Sequence, residues 1–196
     1  ADVRGAATGH DAFLELMFVG ADGLDHRVAT RLVGAYNLPN ALAAIAVGRH
    51  FHVPDTAMAH ALAAYEPGNN RSQFKDSGRN HLVLDAYNAN PSSMAVALRN
   101  FAAMPGDRPK RAILGDMLEL GASSAAEHRR IVELAAELGV AAWFVGREFA
   151  AAAPPAAHWP DGAHLLEHLA GRPLSGHLVL VKGSRGIGLE TVAAAL

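Results

Sequence analysis

The feature that most constrains the fold is a regular alternation of short apolar runs and helix-like segments in the last two-thirds of the chain. Each run is too short for a helix and is typical of a strand buried on both faces. Strands that alternate with helices predict an α/β fold, with a Rossmann-like, mostly parallel sheet and flanking helices. The four predicted strands are residues 82–84, 112–114, 143–145 and 178–181.

The segments between these runs show helix start and stop signals. A helix is predicted over 91–103, because Pro91 suits the first turn and Asn90 suits the N-cap. A second is predicted over 125–138, with a capping box from Ser124 to Glu127 and an end at Gly139. A Pro/Ala-rich loop over 153–160, a short helix over 163–170 and a last helix ending at Leu196 complete this part.

The first third of the chain has a different pattern. Two β-prone runs, 13–19 and 28–33, flank Asp22-Gly23, which is a hairpin signal. Helices are predicted over 41–49 and 56–64, the second with Asp55 as its N-cap. The breaker cluster at 66–70 then predicts a domain boundary, which divides the chain into residues 1–67 and 68–196.

Polar and glycine residues follow all four predicted strands. If the strands are parallel, these residues meet at one edge of the sheet, where cations and close backbone approach suit a phosphate-bearing ligand. The alternative is that strand-to-helix turns favour Gly, Asp and Ser in any α/β protein. The residues are Asp85, Gly115-Asp116, Gly146-Arg147 and Lys182-Gly183-Ser184-Arg185.

Several other chemistries have little support. The chain has no cysteine and a net charge of −2, which argues against thiol chemistry and electrostatic nucleic-acid binding. The 11 histidines are scattered without metal-ligand spacing, so no metal ligand is assigned. Glu15 and Glu119 are interpreted as solvent-facing carboxylates, and Ser123-Ser124 as a helix cap. Residues 183–188 follow the last strand, which leaves too little chain for a dinucleotide-binding unit.

Five segments, in order, resemble the Mur ligase family. Within that family, the second to fifth segments are similar to the ligases that add D-alanyl-D-alanine to a UDP-N-acetylmuramoyl-tripeptide. The segments are GAYNLPNALAA (34–44), NNRSQ (69–73), DAYNANP (85–91), LGDMLELG (114–121) and KGSR (182–185).

The resemblance implies an ATP-dependent amide ligase of peptidoglycan precursor synthesis in the bacterial cytoplasm. The tripeptide carboxylate would attack the γ-phosphate of Mg-ATP to give an acyl phosphate, which the amine of D-alanyl-D-alanine would then attack. Residues 1–67 would be the tail of the central ATPase domain and residues 68–196 the C-terminal domain. Mg²⁺ would be held mainly by a part of the central domain that is absent here. Neither nucleic-acid binding nor membrane insertion is implied.

The resemblance also implies roles for individual residues at the predicted rim and in the first third of the chain. The residues that would bind ATP are Asn40, Arg71 and Asp85. The side that receives D-alanyl-D-alanine would be lined by Asn88 and Asn90. Catalysis would be served by Lys182, Ser184 and Arg185. Since Asp85 follows a strand and lies outside the predicted core, its replacement by alanine is expected to spare the fold.

The sequence departs from the family in one respect, because it contains no Gly-x-x-Gly-Lys-[Ser/Thr] phosphate-binding loop. We therefore expect a fragment that neither hydrolyses ATP nor forms the amide bond alone. Two alternatives stay open. One is another ligase of the superfamily, similar to folylpolyglutamate or cyanophycin synthetase. The other is a non-catalytic module that binds a nucleotide or peptide.

Overall fold

A computed structural model describes residues 3–9, 12–68 and 70–196. The chain forms two compact units, Ala1–Pro67 and Gly68–Leu196. Asn69, in the predicted boundary segment, lies outside the described residues. Among the helices described, none combines the length and the apolar character that crossing a membrane requires.

The first unit is a three-stranded antiparallel sheet with two helices. The turn at Asp22-Gly23 joins the second and third strands, as predicted, with Gly23 at a φ of 81°. Leu14, Leu16 and Phe18 alternate along the second strand and pack on Ala41 and Ile45 of the first helix. The elements are β1 (Gly5–Ala7), β2 (Phe13–Val19), β3 (Asp25–Val33), α1 (Leu38–His50) and α2 (Asp55–Ala64).

The structure corrects two details of this unit. Strand β1 was not predicted, because it has only three residues and no apolar alternation. Asp55 is not the N-cap of α2, since Pro54 occupies that position and Asp55 lies in the first turn. The Asp55 carboxylate instead accepts a hydrogen bond of 2.7 Å from the Ala21 N–H and binds Arg49, so it joins the helix to the hairpin.

The second unit contains a six-stranded sheet in the order β4-β5-β9-β6-β7-β8. All neighbouring strands are parallel except β4, which lies antiparallel to β5 at the edge. The predicted α/β fold with a mostly parallel, Rossmann-like sheet is therefore confirmed. The elements are β4 (Gln73–Asp76), β5 (His81–Asp85), α3 (Pro91–Ala103), β6 (Lys110–Gly115), α4 (Ser124–Glu137), β7 (Ala141–Val145), β8 (His158–Trp159), α5 (Gly162–Gly171), β9 (Leu178–Lys182) and α6 (Leu189–Ala194).

The core of this unit lies on both faces of the sheet. Val179 and Val181 of β9 share one apolar cluster with Leu165 of α5 and Val192 of α6. Leu180, which points to the opposite face, is also buried, so helices must cover that face as well. Helices α3 and α4 pack against each other and supply buried residues such as Leu98 and Ile131. Coverage of both faces explains the continuous apolar runs in the sequence.

Some of the predicted helix ends are confirmed and others are wrong. Asn90 caps α3 as predicted, and its side chain accepts a 2.8 Å hydrogen bond from the Ser93 N–H. The predicted capping box at Ser124 is wrong, because a 3₁₀ turn precedes α4 and Ser124 is already helical. The Ser124 hydroxyl contacts Glu148 instead. Strands β4 and β8 were missed, and α6 ends at Ala194 rather than Leu196.

Candidate functional site

The ends of the central strands bring the predicted polar residues to one edge of the second unit. In the sheet register, Asp85 is the neighbour of Lys182, and Lys182 is also the neighbour of Leu114 on the other side. Gly115 pairs with Val145, the residue before Gly146. The convergence predicted from the parallel strands is therefore confirmed. We call this edge, formed by residues 85–90, 115–121, 146–148 and 182–187, the rim.

An ion pair between Asp85 and Lys182 lies at the centre of the rim. The Lys182 Nζ donates to Asp85 Oδ2 at 2.6 Å and to the Asn88 carbonyl at 3.2 Å. The Lys182 side chain is only 2% exposed, whereas that of Asp85 is 18% exposed. The second oxygen of Asp85 accepts from the Ser72 N–H at 3.3 Å. Lys182 therefore holds Asp85 and the following loop in place, and its charge is already paired.

Ser184 connects three loops of the rim. Its hydroxyl accepts from the Leu118 N–H at 3.0 Å and donates to the Ala89 carbonyl at 3.4 Å, while its own N–H donates to the Asp116 carbonyl. The residue is buried. A buried hydroxyl with both functions used is a structural connection, because it has little capacity left for a ligand.

Asp116 lies at the rim but its carboxylate points inward. Its two oxygens accept from the Glu148 and Phe149 N–H groups at 3.0 and 3.1 Å, so the side chain fixes the loop after β7. Burial raises the pKa of Asp116, and the two backbone hydrogen bonds oppose this rise. Asp116 was predicted to meet the other strand-end residues at this edge; its carboxylate is bonded to backbone N–H groups there, which agrees with the alternative of an ordinary turn residue.

His128 was not identified by sequence reasoning. Its ring is fully buried, with Nε2 accepting from the Met117 N–H at 3.0 Å and Nδ1 lying 2.8 Å from the Ser124 carbonyl. These contacts assign the neutral tautomer with the proton on Nδ1. His128 thus holds the loop 115–121 against α4. No sequence signal distinguishes it from the other histidines.

Two exposed arginines flank an exposed tyrosine on the rim side of the unit. The Arg71 guanidinium carbon lies 3.6 Å from the centre of the Tyr87 ring, and that of Arg185 lies 5.9 Å from it. Among the described residues, neither arginine has an acidic partner within 4.0 Å in an ion pair. Unpaired guanidinium groups bind phosphate well, so Arg71 and Arg185 fit the nucleotide that the resemblance implies. Tyr87 was missed, although it lies within the segment 85–91.

The three predicted asparagines have different surroundings. Asn88 and Asn90 are exposed at the rim; Asn90 Oδ1 is used as the cap of α3, and Asn88 Oδ1 accepts from the Ala89 N–H. Asn40 belongs to α1 of the first unit, and its amide donates to Asn37 at 3.1 Å. Glu119 is exposed, as expected, with an unusual positive φ of 67°.

The fold and the rim define a Rossmann-like α/β unit whose strand ends carry a buried ion pair, with the exposed Arg71 and Arg185 beside Tyr87. The sequence model of the family described as Mur ligase, glutamate ligase domain, matches residues 70–185, which is more than half of the chain. The chain therefore belongs to the Mur ligase family.

Two relatives and one solved structure agree with this assignment. A UDP-N-acetylmuramoyl-tripeptide–D-alanyl-D-alanine ligase from Bacillus subtilis is 29% identical over 182 residues, covering 87% of this chain and 40% of the relative. The ligase of the same name from Treponema pallidum is 36% identical over 170 residues, covering 81% of this chain and 36% of the relative. A crystal structure of MurF from Acinetobacter baumannii has a TM-score of 0.81 and 26% identity, covering 93% of this chain and 42% of that one. The chain thus spans about 40% of the length of these relatives.

Proposed function

We propose that this chain is the C-terminal part of an ATP-dependent ligase that adds D-alanyl-D-alanine to UDP-N-acetylmuramoyl-tripeptide. The observation that carries the proposal is the match of more than four-fifths of the chain to ligases of that name, at 29% and 36% identity. In this proposal residues 1–67 are the tail of the central ATPase domain and residues 68–196 are the C-terminal domain. The bacterial cytoplasm, where the precursor would be made, is part of the same proposal.

Exposure and hydrogen bonding at the rim support different roles for the predicted site residues, with exposed residues contacting the ligand and buried residues positioning them. Arg71 and Arg185 are exposed and unpaired within the part of the chain that the structure describes, so they are the groups that would contact ATP phosphates. Asp85, which retains an exposed fraction of 18%, would accept hydrogen bonds from the ribose. Lys182 and Ser184 are buried and already bonded, so they would act by positioning Asp85 and the loops rather than by touching the transferred group.

The asparagines and Mg-ATP have the remaining roles in this proposal. Asn88 and Asn90 are exposed at the rim and would face the incoming dipeptide. Asn40, in the first unit, is assigned to ATP binding by the resemblance alone. Mg-ATP would supply the phosphoryl group that activates the tripeptide carboxylate as an acyl phosphate. The contribution of this chain would be to neutralise phosphate charge and to hold the amine in line with the carbonyl carbon.

A chimera tests the proposal. The segment of the Bacillus subtilis ligase that matches this chain is replaced by residues 1–196, and ADP release is measured with ATP, Mg²⁺ and the UDP-linked tripeptide. We expect ADP release that depends on D-alanyl-D-alanine. The isolated chain should release no ADP, because it contains no phosphate-binding loop motif. A folded chimera without activity would contradict the proposal, as would turnover by the isolated chain.

Matched variants in the chimera separate contact from positioning. Arg185→Gln should lower the rate at least about tenfold without a change in melting temperature, because an exposed cation is removed. Arg129→Gln is the control, since Arg129 is an exposed arginine of α4 that lies outside the rim. Equal effects of the two substitutions would exclude a specific role for Arg185.

A further inference from the structure

The first unit contains a cluster of three potential metal ligands that is separate from the rim. Asp22 lies in the hairpin turn, His26 in β3 and Asp55 in the first turn of α2. One ligand atom from each lies within 4.8 Å of the other two. Sequence analysis did not identify this cluster, because Asp55 is far from the other two residues along the chain and only the fold brings it close.

The imidazole of His26 is the reason to expect a ligand at this cluster. Its Nε2 atom is fully buried, and among the described residues it has no hydrogen-bond partner. The nearest carboxylate oxygen, Asp22 Oδ1, is 3.7 Å away, which is too long for a hydrogen bond. A buried nitrogen without a partner is costly, and native structures usually satisfy such an atom.

The surroundings fix the imidazole in this orientation. The ring stacks on Phe18 with centroids 5.1 Å apart and an interplanar angle of 18°. Gly20 permits the close approach of the hairpin, since a Cβ atom at this position would lie 2.7 Å from His26 Nε2 and would also collide with Asp22 Oδ1. Because only a residue without a side chain allows this geometry, Gly20 offers a way to disturb the cluster without removing a ligand.

We propose that Asp22, His26 and Asp55 bind a divalent transition-metal ion, for which Zn²⁺ is the probe. Ligand atoms of a tetrahedral zinc site lie roughly 3.3 Å apart, given bonds of about 2.0–2.1 Å. The 3.7 Å between Asp22 and His26 is close to this value, and Asp22 is half exposed, so its carboxylate can move to close the site. One imidazole and two carboxylates favour Zn²⁺ over Mg²⁺, and solvent would supply the fourth ligand.

Arg49 should lower the affinity of the cluster for a metal ion, because it is a cation paired with Asp55. Its guanidinium lies 3.3 Å from Asp55 Oδ1 and donates to the Val19 carbonyl, so it neutralises part of the cluster's charge. Asp55 Oδ2 also accepts from Ala21 N–H, which leaves its remaining lone pairs for an ion. With two carboxylates and one guanidinium, the cluster keeps a net negative charge when His26 is neutral.

The test is a calorimetric titration of the 196-residue chain with Zn²⁺ after treatment with a chelator. We expect one ion per chain. Asp22→Asn, which keeps the oxygen that accepts from the Leu24 N–H, and His26→Gln should each weaken binding at least about tenfold. Gly20→Ala should also weaken Zn²⁺ binding at least about tenfold, because the added methyl group would displace His26 and Asp22 from their positions. Circular dichroism and melting of the metal-free variants show that each is folded.

Two matched controls identify adventitious binding. His164→Gln removes an exposed histidine that forms another pair with an aspartate, Asp161, and Gly68→Ala adds a methyl group where a Cβ meets no atom within 4 Å. Neither should change Zn²⁺ binding. The proposal is overturned if the unmodified chain binds no Zn²⁺, or if the Asp22, His26 and Gly20 variants bind it like the controls, which would mean an adventitious ion only.

A spectroscopic measurement on the unmodified chain is independent of the variants. The ring nitrogen resonances of His26 should shift on addition of one equivalent of Zn²⁺, with Nε2 as the bound atom. If the His26 signals stay unchanged while other histidines shift, the ion binds elsewhere and the assignment is wrong.

Discussion

At the scale of single residues, the buried lysine of the rim depends on one carboxylate for its stability. Lys182 is almost fully buried, and Asp85 is its only acidic partner among the described residues. A buried charge that loses its partner destabilises a protein far more than the pair stabilises it. We therefore expect replacement of Asp85 to destabilise the fold, whereas the sequence alone predicts that the fold would be spared.

We predict that Asp85→Ala lowers the free energy of unfolding by about 3 kcal/mol, because it leaves the Lys182 ammonium buried with one carbonyl acceptor. Combining it with Lys182→Met should recover a large part of this loss. Chemical denaturation of both single variants and the double variant measures the coupling. Asp107→Ala, at an exposed aspartate, is the control. Additive effects in the double variant would show that the two side chains do not interact.

The carboxyl group of Asp55 should make the free energy of unfolding depend on pH. The hydrogen bond from the Ala21 N–H, with a smaller contribution from Arg49, holds the pKa of Asp55 below the ordinary value for an aspartate. Because the folded state favours the carboxylate, this contribution to stability is full above about pH 4 and is lost as the pH falls through the lower, folded-state pKa.

We therefore expect Asp55→Asn to be less stable than the unmodified chain by about 1–2 kcal/mol near neutral pH in the presence of a chelator. This difference should shrink as the pH falls below about 4. Thermal or urea unfolding across this range is the measurement, and Asp25→Asn, at an exposed position of β3, is the comparison. A difference that does not change with pH would be inconsistent with a lowered pKa.

At the scale of elements, the start of α3 depends on Asn90. Its side chain accepts from the Ser93 N–H, and Ser93 Oγ accepts from the Asn90 N–H, so both ends of the capping box are present. We predict that Asn90→Ala lowers the free energy of unfolding by about 1 kcal/mol, whereas Asn90→Asp is close to neutral. Chemical denaturation measures both. If the two substitutions were equally harmful, the cap would not be the cause.

The ends of β6 and β9 approach closely at two glycines. A Cβ on Gly183 would lie 2.9 Å from the Gly115 Cα, a contact with backbone that side-chain motion cannot relieve. We predict that Gly183→Ala costs about 1–3 kcal/mol in unfolding free energy. Gly68→Ala, which meets no atom within 4 Å, should cost little. Loss of stability in both variants alike would instead indicate a general intolerance of alanine for glycine.

The elements that the sequence predicts well are those with strong periodic patterns. The runs that became β5, β6, β7 and β9 were recognisable because burial on both faces requires apolar residues at every position. Strands β4 and β8 lack this signal: β4 contains two exposed residues and lies at an edge, and β8 has only two residues. Their positions depend on neighbouring strands, which the local sequence does not encode.

In the candidate site, too, some features could be predicted from the sequence and others could not. Parallel strands explain why Asp85 and Lys182 come together, since the carboxyl ends of such strands share one edge. The direction of each side chain could not be predicted, because it depends on hydrogen bonds between distant loops. Asp116 turns inward to the Glu148 and Phe149 N–H groups for this reason.

At the scale of the whole molecule, the two units differ in what they offer to a ligase. The second unit carries the rim and the exposed Arg71 and Arg185, and the family match falls within this unit, at residues 70–185. In our proposals the first unit contributes Asn40 to ATP binding and the cluster of Asp22, His26 and Asp55 to metal binding. Since the chain spans about 40% of its relatives, its activity must be measured together with the remaining part of such a ligase.

The most direct measurement is the mass of the product that the chimera forms when D-alanyl-D-alanine and L-glutamate are supplied together with ATP, Mg²⁺ and the UDP-linked tripeptide. Our account predicts a product heavier by one D-alanyl-D-alanine unit and little or no glutamate adduct. A product that carries glutamate would contradict it and would favour a ligase similar to folylpolyglutamate synthetase.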